Sequence, residues 1–324
     1  MAVTTANKPE RPALNLRNRL KPGDWTFVAL TGGSALIAIA LIVGLFFELT
    51  NQAWASIQQT GIGFLYGTTW DPARATFGAW PFILGTLLTS VFALVFATAI
   101  AVLVALFLVE VAPGWLSRPV SYMVELLAAI PSVVYGFWGI FVMGVFIRDH
   151  LGPVIVKSLG WIPFFNGTPL ITGLFSGCAI LTIMILPTVM AVSRDVISAV
   201  PRSQREGILA LGATRWEMIR IAVLPYARAG VLGASILGLA RAVGETLAVT
   251  LVIGNSVNIP HNIFAPAYTM ASLIANQFPE ATGLQQSALI EIALVLLVIT
   301  FAINVVARLL VWRVTKGQHV VVQE

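Results

Sequence analysis

The chain has 324 residues, of which 58% are hydrophobic and only 10% charged, with a mean hydropathy of +0.89. Soluble domains carry about 25% charged residues, so this supply could not cover a soluble surface, and the apolar excess also excludes disorder. The composition is that of an integral membrane protein, and its single cysteine, Cys178, can form no intrachain disulfide or thiolate metal cage.

Residues 1–25, rich in Pro, Asn and Arg, read as an N-terminal arm. Six apolar runs follow, each long enough for a spanning helix of about 20 residues. They are Phe27–Leu49, Phe82–Leu108, Val120–Ile147, Leu170–Val192, Ala229–Ile253 and Ala288–Trp312. The first has basic residues before it and Ala53-Trp54-Ala55 after it, as a signal peptide would. Its run exceeds the ~7–15 residues of a signal h-region, so it reads as an uncleaved helix. Barrel strands alternate apolar and polar residues over about 10 positions, whereas these runs are continuous. The expected fold is therefore an all-α, six-span bundle over residues 26–315, with a short tail at 316–324.

Basic residues orient the bundle, because cytoplasmic loops carry the excess of Lys and Arg. On one side fall Lys8, Arg11, Arg17, Arg19, Lys21, Arg118, Arg194, Arg202, Arg205, Arg215, Arg220, Arg228, Arg308, Arg313 and Lys316. The other side holds only Arg74, Arg148 and Lys157. Both termini are expected in the cytoplasm. The net charge of +5 thus follows membrane topology, and a nucleic-acid partner loses its support.

The stretch between spans four and five, Ser193–Arg228, is long for a bundle connection. Ile208, Leu209 and Leu211, then Trp216, Ile219 and Val223, recur at helical spacing. Gly212 stands between the two stretches, where a C-cap or chain reversal wants glycine, and Pro225 is expected to end the second. The pattern predicts two short amphipathic helices with a glycine hinge. It leaves two roles open: packing at the membrane surface, or docking of a cytoplasmic partner.

Two charges lie inside span five. Arg241 and Glu245 are at i and i+4, and would share one face of a continuous helix. A lone charge at the bilayer centre costs roughly 2.5–3.5 kcal/mol on insertion scales, so both should face the bundle interior or an aqueous path. Either they form a packing ion pair or they line a translocation path. Gly230, Gly233, Ala234, Gly238 and Gly244 surround them and suit close helix approach. In span three, Pro131 is expected to kink the helix, with Ser132 and Tyr135 beyond it as hydrogen-bonding groups for a path. Glu125 and Glu291, near span ends, are expected to reach interfacial water and to be structural.

The segment 201–225 resembles the cytoplasmic signature of ABC importer permeases, written E-A-A, three residues, Gly, nine residues, I-x-L-P. Glu206 matches the Glu, Gly212 the Gly and Leu224-Pro225 the final L-P, while Gly207, Ile208 and Ala222 depart from it. The resemblance implies that this is the coupling helix, with Glu206, Ala210, Leu211, Gly212, Ala213, Thr214 and Pro225 meeting the ATPase. Ala128-Ala-Ile-Pro-Ser-Val-Val-Tyr-Gly136 and Leu239-Ala-Arg-Ala-Val-Gly-Glu-Thr-Leu-Ala248 are similar to the phosphate-specific permeases of that family. Val252-Ile-Gly-Asn255 and Phe264-Ala-Pro-Ala-Tyr-Thr-Met-Ala-Ser272 resemble its C-type more than its A-type subunit.

The resemblance implies a bacterial inner-membrane permease that forms a phosphate path with an A-type sister. Two cytoplasmic ATPase subunits would sit inside and an extracytoplasmic phosphate-binding protein outside. Outer loops near residues 50–81, 148–169 and 254–287 would form that docking surface. It would make Arg241, Glu245, Ser132 and Tyr135 the path residues and implies no cofactor. The chain has no G-x-x-x-x-G-K-[ST]; the nearest string, Gly152-Pro-Val-Ile-Val-Lys157-Ser158, carries Val156 where the second glycine must be. ATP must therefore bind elsewhere, and no nucleophile–base pair marks an enzyme. The alternatives are a permease for another oxyanion such as sulfate or molybdate, an ion-coupled secondary transporter, for which internal repeats are wanting, and a non-transporting scaffold.

Overall fold

The computed structural model describes residues 22–315. The expected arm lies outside the described residues except at its end, where Pro22 already opens a helix, and the expected tail 316–324 lies outside them too. The chain divides into two compact units, residues 1–51 and 52–324. In the first, the described residues are one helical run, the start of α1 (Pro22–Thr60). The second unit holds the rest of that helix, then α2 (Trp80–Val111), α3 (Gly114–Ala128), α4 (Ser132–Leu159) and α5 (Leu174–Ser198). It continues with α6 (Arg202–Ala210), α7 (Arg215–Gly244), α8 (Leu247–Val252), α9 (Met270–Gln277) and α10 (Gly283–Thr315). Among the described residues six helices, α1, α2, α4, α5, α7 and α10, are long and apolar enough to cross a membrane. The two-residue strands β1 (Trp70–Asp71) and β2 (Thr76–Phe77) pair antiparallel, Trp70 opposite Phe77. The fold is all-α in character, as the continuous apolar runs predict.

Prolines set several boundaries. Pro113, Pro131 and Pro201 each precede a helix in extended conformation, and the residue before each is disfavoured from helical backbone. At Pro131 this corrects the expected third span. The run Val120–Ile147 is two helices, α3 and α4, and only α4 is a crossing helix. Proline does not kink the helix here; it starts a new one. Arg148 and Lys157, expected in an outer loop, therefore lie within α4.

Span five is corrected in the same way. Its helix starts at Arg215, ends at Gly244, and resumes as the short α8 after Glu245 and Thr246. Glu245 is extended (ψ 127°). Gly244 is a weak helix former, and the Thr246 hydroxyl donates to the Gly244 carbonyl at 3.2 Å. Apolarity runs unbroken through this point, so hydropathy does not register the break. Pro225, expected to end a helix, instead lies inside α7. It follows a widened turn, Ile219–Val223, in which the Leu224 N–H bonds to the Ile219 carbonyl. Such a turn relieves the clash a proline ring makes with the i−4 carbonyl of a regular helix.

Four apolar clusters fill the second unit, and α5 contributes to three of them. At one end Leu106 and Leu108 of α2 meet Val189 and Ile197 of α5 and Ile219 and Val223 of α7. In the middle Ile180 and Met184 of α5 meet Tyr135 of α4 and Ala248 of α8, while Cys178 is buried among Leu181, Ile185 and Val249. At the other end Trp70 packs edge-to-face on Phe77 and Phe82, with ring centroids 5.0 and 5.2 Å apart, beside Tyr268, Met270 and Leu289. A Cβ at Gly85 would come within 2.0 Å of the Tyr268 carbonyl oxygen, so the segment around Tyr268 rests directly on the α2 backbone. That segment, within the expected loop 254–287, is folded into the bundle: Phe264, Met270, Ser272 and Leu273 are buried.

Candidate functional site

Two charged regions stand out. The first is the pair of breaks in spans three and five, whose continuing segments pack together. A Cβ at Gly136 of α4 would overlap the Leu251 side chain and press on Ala248 of α8, and one at Gly139 would overlap Val252. The first turns of α4 and the short helix α8 that follows the break in span five are thereby held against each other.

Arg241 stands in the last turn of α7, where a cation suits the helix dipole. Its side chain is exposed, and its guanidinium makes a long contact of 3.5 Å with the Thr188 hydroxyl of α5. It also lies within electrostatic reach of the Tyr135 phenol. Glu245 is half-buried beyond the helix end. The break between them means that i and i+4 no longer describe neighbours on one helix face. Among the described residues no ion pair joins Arg241 to Glu245, so the packing-pair alternative fails. Tyr135 is buried and donates to the Leu127 carbonyl at 2.8 Å. It bridges the α3–α4 break, while Ser132, half-buried, opens α4 without a side-chain cap.

The small residues of span five divide into two sets. A Cβ at Gly230 or Gly238 would overlap Val196 or Val189 of α5, so these two serve packing within the bundle. Gly233 and Gly244 have open space where a Cβ would go.

The second region is α6 and the start of α7. α6 ends at Ala210, Leu211 caps it, and Gly212 turns the chain at φ +84°, which favours glycine. Thr214 then caps α7. Its hydroxyl accepts from the Glu217 N–H, and the Glu217 carboxylate accepts from the Thr214 N–H at 2.8 Å. This capping box is written in the sequence as Thr214-Arg-Trp-Glu217, a signal that the helical periodicity alone passed over. Glu206 and Ala210 are exposed and Ala213 half-buried; Leu211 is 83% and Trp216 64% exposed. Large apolar side chains this exposed beside a glycine turn form a surface suited to a partner.

Two residues that sequence reasoning missed hold this element. Arg205 of α6 pairs with Glu110 of α2 at 2.9 Å, with side chains only 16% and 7% exposed. They are 95 positions apart, so no local spacing could join them. Arg194 pairs with Glu125 of α3 at 3.0 Å and with Asp195 at 3.2 Å; Glu125 keeps the structural role expected of it. Glu291 does not reach interfacial water. It is buried beside Ser56 and Thr60, with Oε2 unpartnered.

A profile of the family described as "Binding-protein-dependent transport system inner membrane component" matches residues 97–316. The chain is 44% identical over 298 residues to the phosphate transport system permease protein PstC of Haemophilus influenzae, covering 90% of this chain and 95% of that protein. It is 38% identical over 323 residues to a protein named PstC 2 from Mycobacterium tuberculosis, covering 95% and 97%. The fold is shared with a bacterial ABC transporter involved in import of the acidic polysaccharide alginate (TM-score 0.57, 17% identity, 90% of this chain and 97% of that one). It is also shared with the inward-facing MetNI methionine ABC transporter (TM-score 0.53, 19% identity, 76% and 100%). The chain is thus a multi-pass ABC importer permease and belongs to the binding-protein-dependent transport system inner membrane component family.

Proposed function

We propose that this chain is the C-type permease subunit of an ATP-driven importer of inorganic phosphate, forming the path together with an A-type sister permease. The observation that carries the reading is the 44% identity, over nine-tenths of the chain, to a protein named as a phosphate transport permease. The charge pattern supports it. Arg241 has no ion-pair partner among the described residues, and a guanidinium presents a planar fork of donors suited to phosphate oxygens. Glu245, unpaired with it, would keep an anion from settling too firmly, since a conduit must bind its cargo weakly enough to release it. Ser132 and Tyr135 sit at the neighbouring break, Tyr135 as the strut that fixes it and Ser132 as a donor at the start of α4.

Two cytoplasmic ATPase subunits would bind the exposed face of α6 and its turn, at Glu206, Ala210, Leu211, Gly212, Ala213 and Thr214. Pro225, inside α7, would act on the geometry of that helix and not as a contact. A phosphate-binding protein would dock on the outer surface. Both termini would lie in the cytoplasm. Closure of the ATPases would move α6 and, through it, the crossing helices.

The test is uptake of labelled phosphate by the reconstituted complex with ATP inside. Uptake that needs ATP and resists excess sulfate supports the reading. Equal competition by sulfate would make the substrate oxyanions in general. Uptake by this chain with no ATPase present would overturn it.

A further inference from the structure

We infer that Arg205 is the positioning residue that locks the coupling helix α6 to the crossing helices, so that force from the ATPase reaches spans two and four. This deepens the proposed reading of α6 as the element that receives the ATPase, and rests on it.

Little else holds α6. None of its nine residues is buried. Ile208 alone leans on the apolar cluster around Leu106 and Ile197, while Glu206, Leu209 and Ala210 face outward. A helix of nine residues is marginal without tertiary support. Arg205 supplies that support from a single guanidinium. Its Nε and Nη2 donate to Glu110 Oε1 at 3.1 and 2.9 Å, its Nη2 to the Ile197 carbonyl at 2.8 Å, and its Nη1 to the Val200 carbonyl.

Those partners belong to different elements. Glu110 lies in the last turn of α2, Ile197 in the last turn of α5, and Val200 just beyond it. Carbonyls at a helix C-terminus lack intrahelical donors, and a basic side chain can satisfy them. Arg205 therefore ties three elements at one point. The ammonium of lysine is a point charge without the fixed fork, and could not hold these acceptors in the same geometry. The outward face of α6 is left free for a partner. Contact and anchorage thus lie on opposite sides of one short helix, which is the arrangement a lever needs.

The test uses the full complex in proteoliposomes and measures phosphate uptake and ATP hydrolysis on the same preparations. Arg205→Lys and Glu110→Gln should still capture the ATPase subunits and hydrolyse ATP. Phosphate moved per ATP should fall about tenfold or more, the size of an ordinary coupling free energy. An unchanged ratio overturns the inference, whether both rates persist or both fall in parallel. If Arg205→Lys does not accumulate in the membrane, Glu110→Gln carries the same measurement. If neither accumulates, Arg205 serves folding alone and the inference is overturned. Leu211→Ala, on the exposed face, reports separately on the reading beneath: it should weaken capture of the ATPase. Undiminished capture would remove α6 as the docking element, whatever the Arg205 variants do.

Discussion

Two arginine–glutamate combinations behave oppositely in this molecule. Arg241 and Glu245 are four residues apart in sequence, yet no ion pair joins them, because the helix ends between them. Arg205 and Glu110 are 95 positions apart and form a buried pair at 2.9 Å. A separation of four residues brings two side chains onto one helix face only while the backbone between them stays helical. Distance in sequence is no obstacle when two helix ends converge. The unpaired combination leaves a guanidinium with donors to offer a passing anion, and the paired one spends its donors on architecture. One guanidinium is therefore left open, at the position proposed for the path, and the other is committed to holding elements together.

The largest effect that can break this contrast is expected at Arg241. Arg241→Ala should reduce phosphate uptake to background while the complex still assembles and keeps its thermal stability, since the side chain is exposed and holds only a long contact to Thr188. Uptake at the wild-type rate in vesicles would remove Arg241 from the path. The paired combination should respond in stability instead. Removing one partner of a fully buried pair costs roughly 3–5 kcal/mol. Glu110→Ala should fall at the lower end of that range, because Arg205 is still 16% exposed. Thermal unfolding of the solubilised complex reads this directly; an unshifted midpoint would mean the pair contributes nothing.

Thr214→Ala sharpens the same side of the contrast with a smaller effect. Loss of the cap should cost about 0.5–2 kcal/mol, seen as faster proteolysis around Gly212. Equal cleavage of variant and parent would show that α7 does not need its cap.

What the sequence made legible, and what it did not, follows the same division between local and distant information. The six crossings and their number were readable because apolar runs are continuous. The Gly212 turn was readable because its signal lies within a few residues. The break at Glu245–Thr246 was not, because Leu247–Val252 is as apolar as the helix before it and hydropathy carries no backbone angles. Pro131 did announce a disturbance, but a proline marks a kink and a new helix start alike, and packing of α4 on α8 through Gly136 decides for the latter. Pro225 misled in the other direction, since the widened turn before it lets the helix run on. Arg205 was visible only as one cationic residue in a basic loop, and its partner Glu110 as an acid at the end of an apolar run. Nothing local joins them. The same holds for Glu291, which is buried beside Ser56 and Thr60, more than 200 positions away.

The smallest stability effect, and the sharpest test of the contrast, belongs to Glu245→Gln. The substitution removes a charge and keeps the shape. If Arg241 and Glu245 were paired, neutralising one partner would strand the other, and the unfolding midpoint would drop as expected for Glu110→Ala. In this structure there is no pair to break, so stability should stay within about 0.5 kcal/mol, as for substitutions away from special features. Transport should nevertheless fall, because the carboxylate beside the open guanidinium shapes the field that an anion meets. A variant that loses stability in step with transport would show that the two acids do the same work, and the division between a path arginine and a locking arginine would collapse. A variant that keeps its stability and loses transport would place Glu245 with Arg241 in the path, as two charges held apart by an interrupted helix.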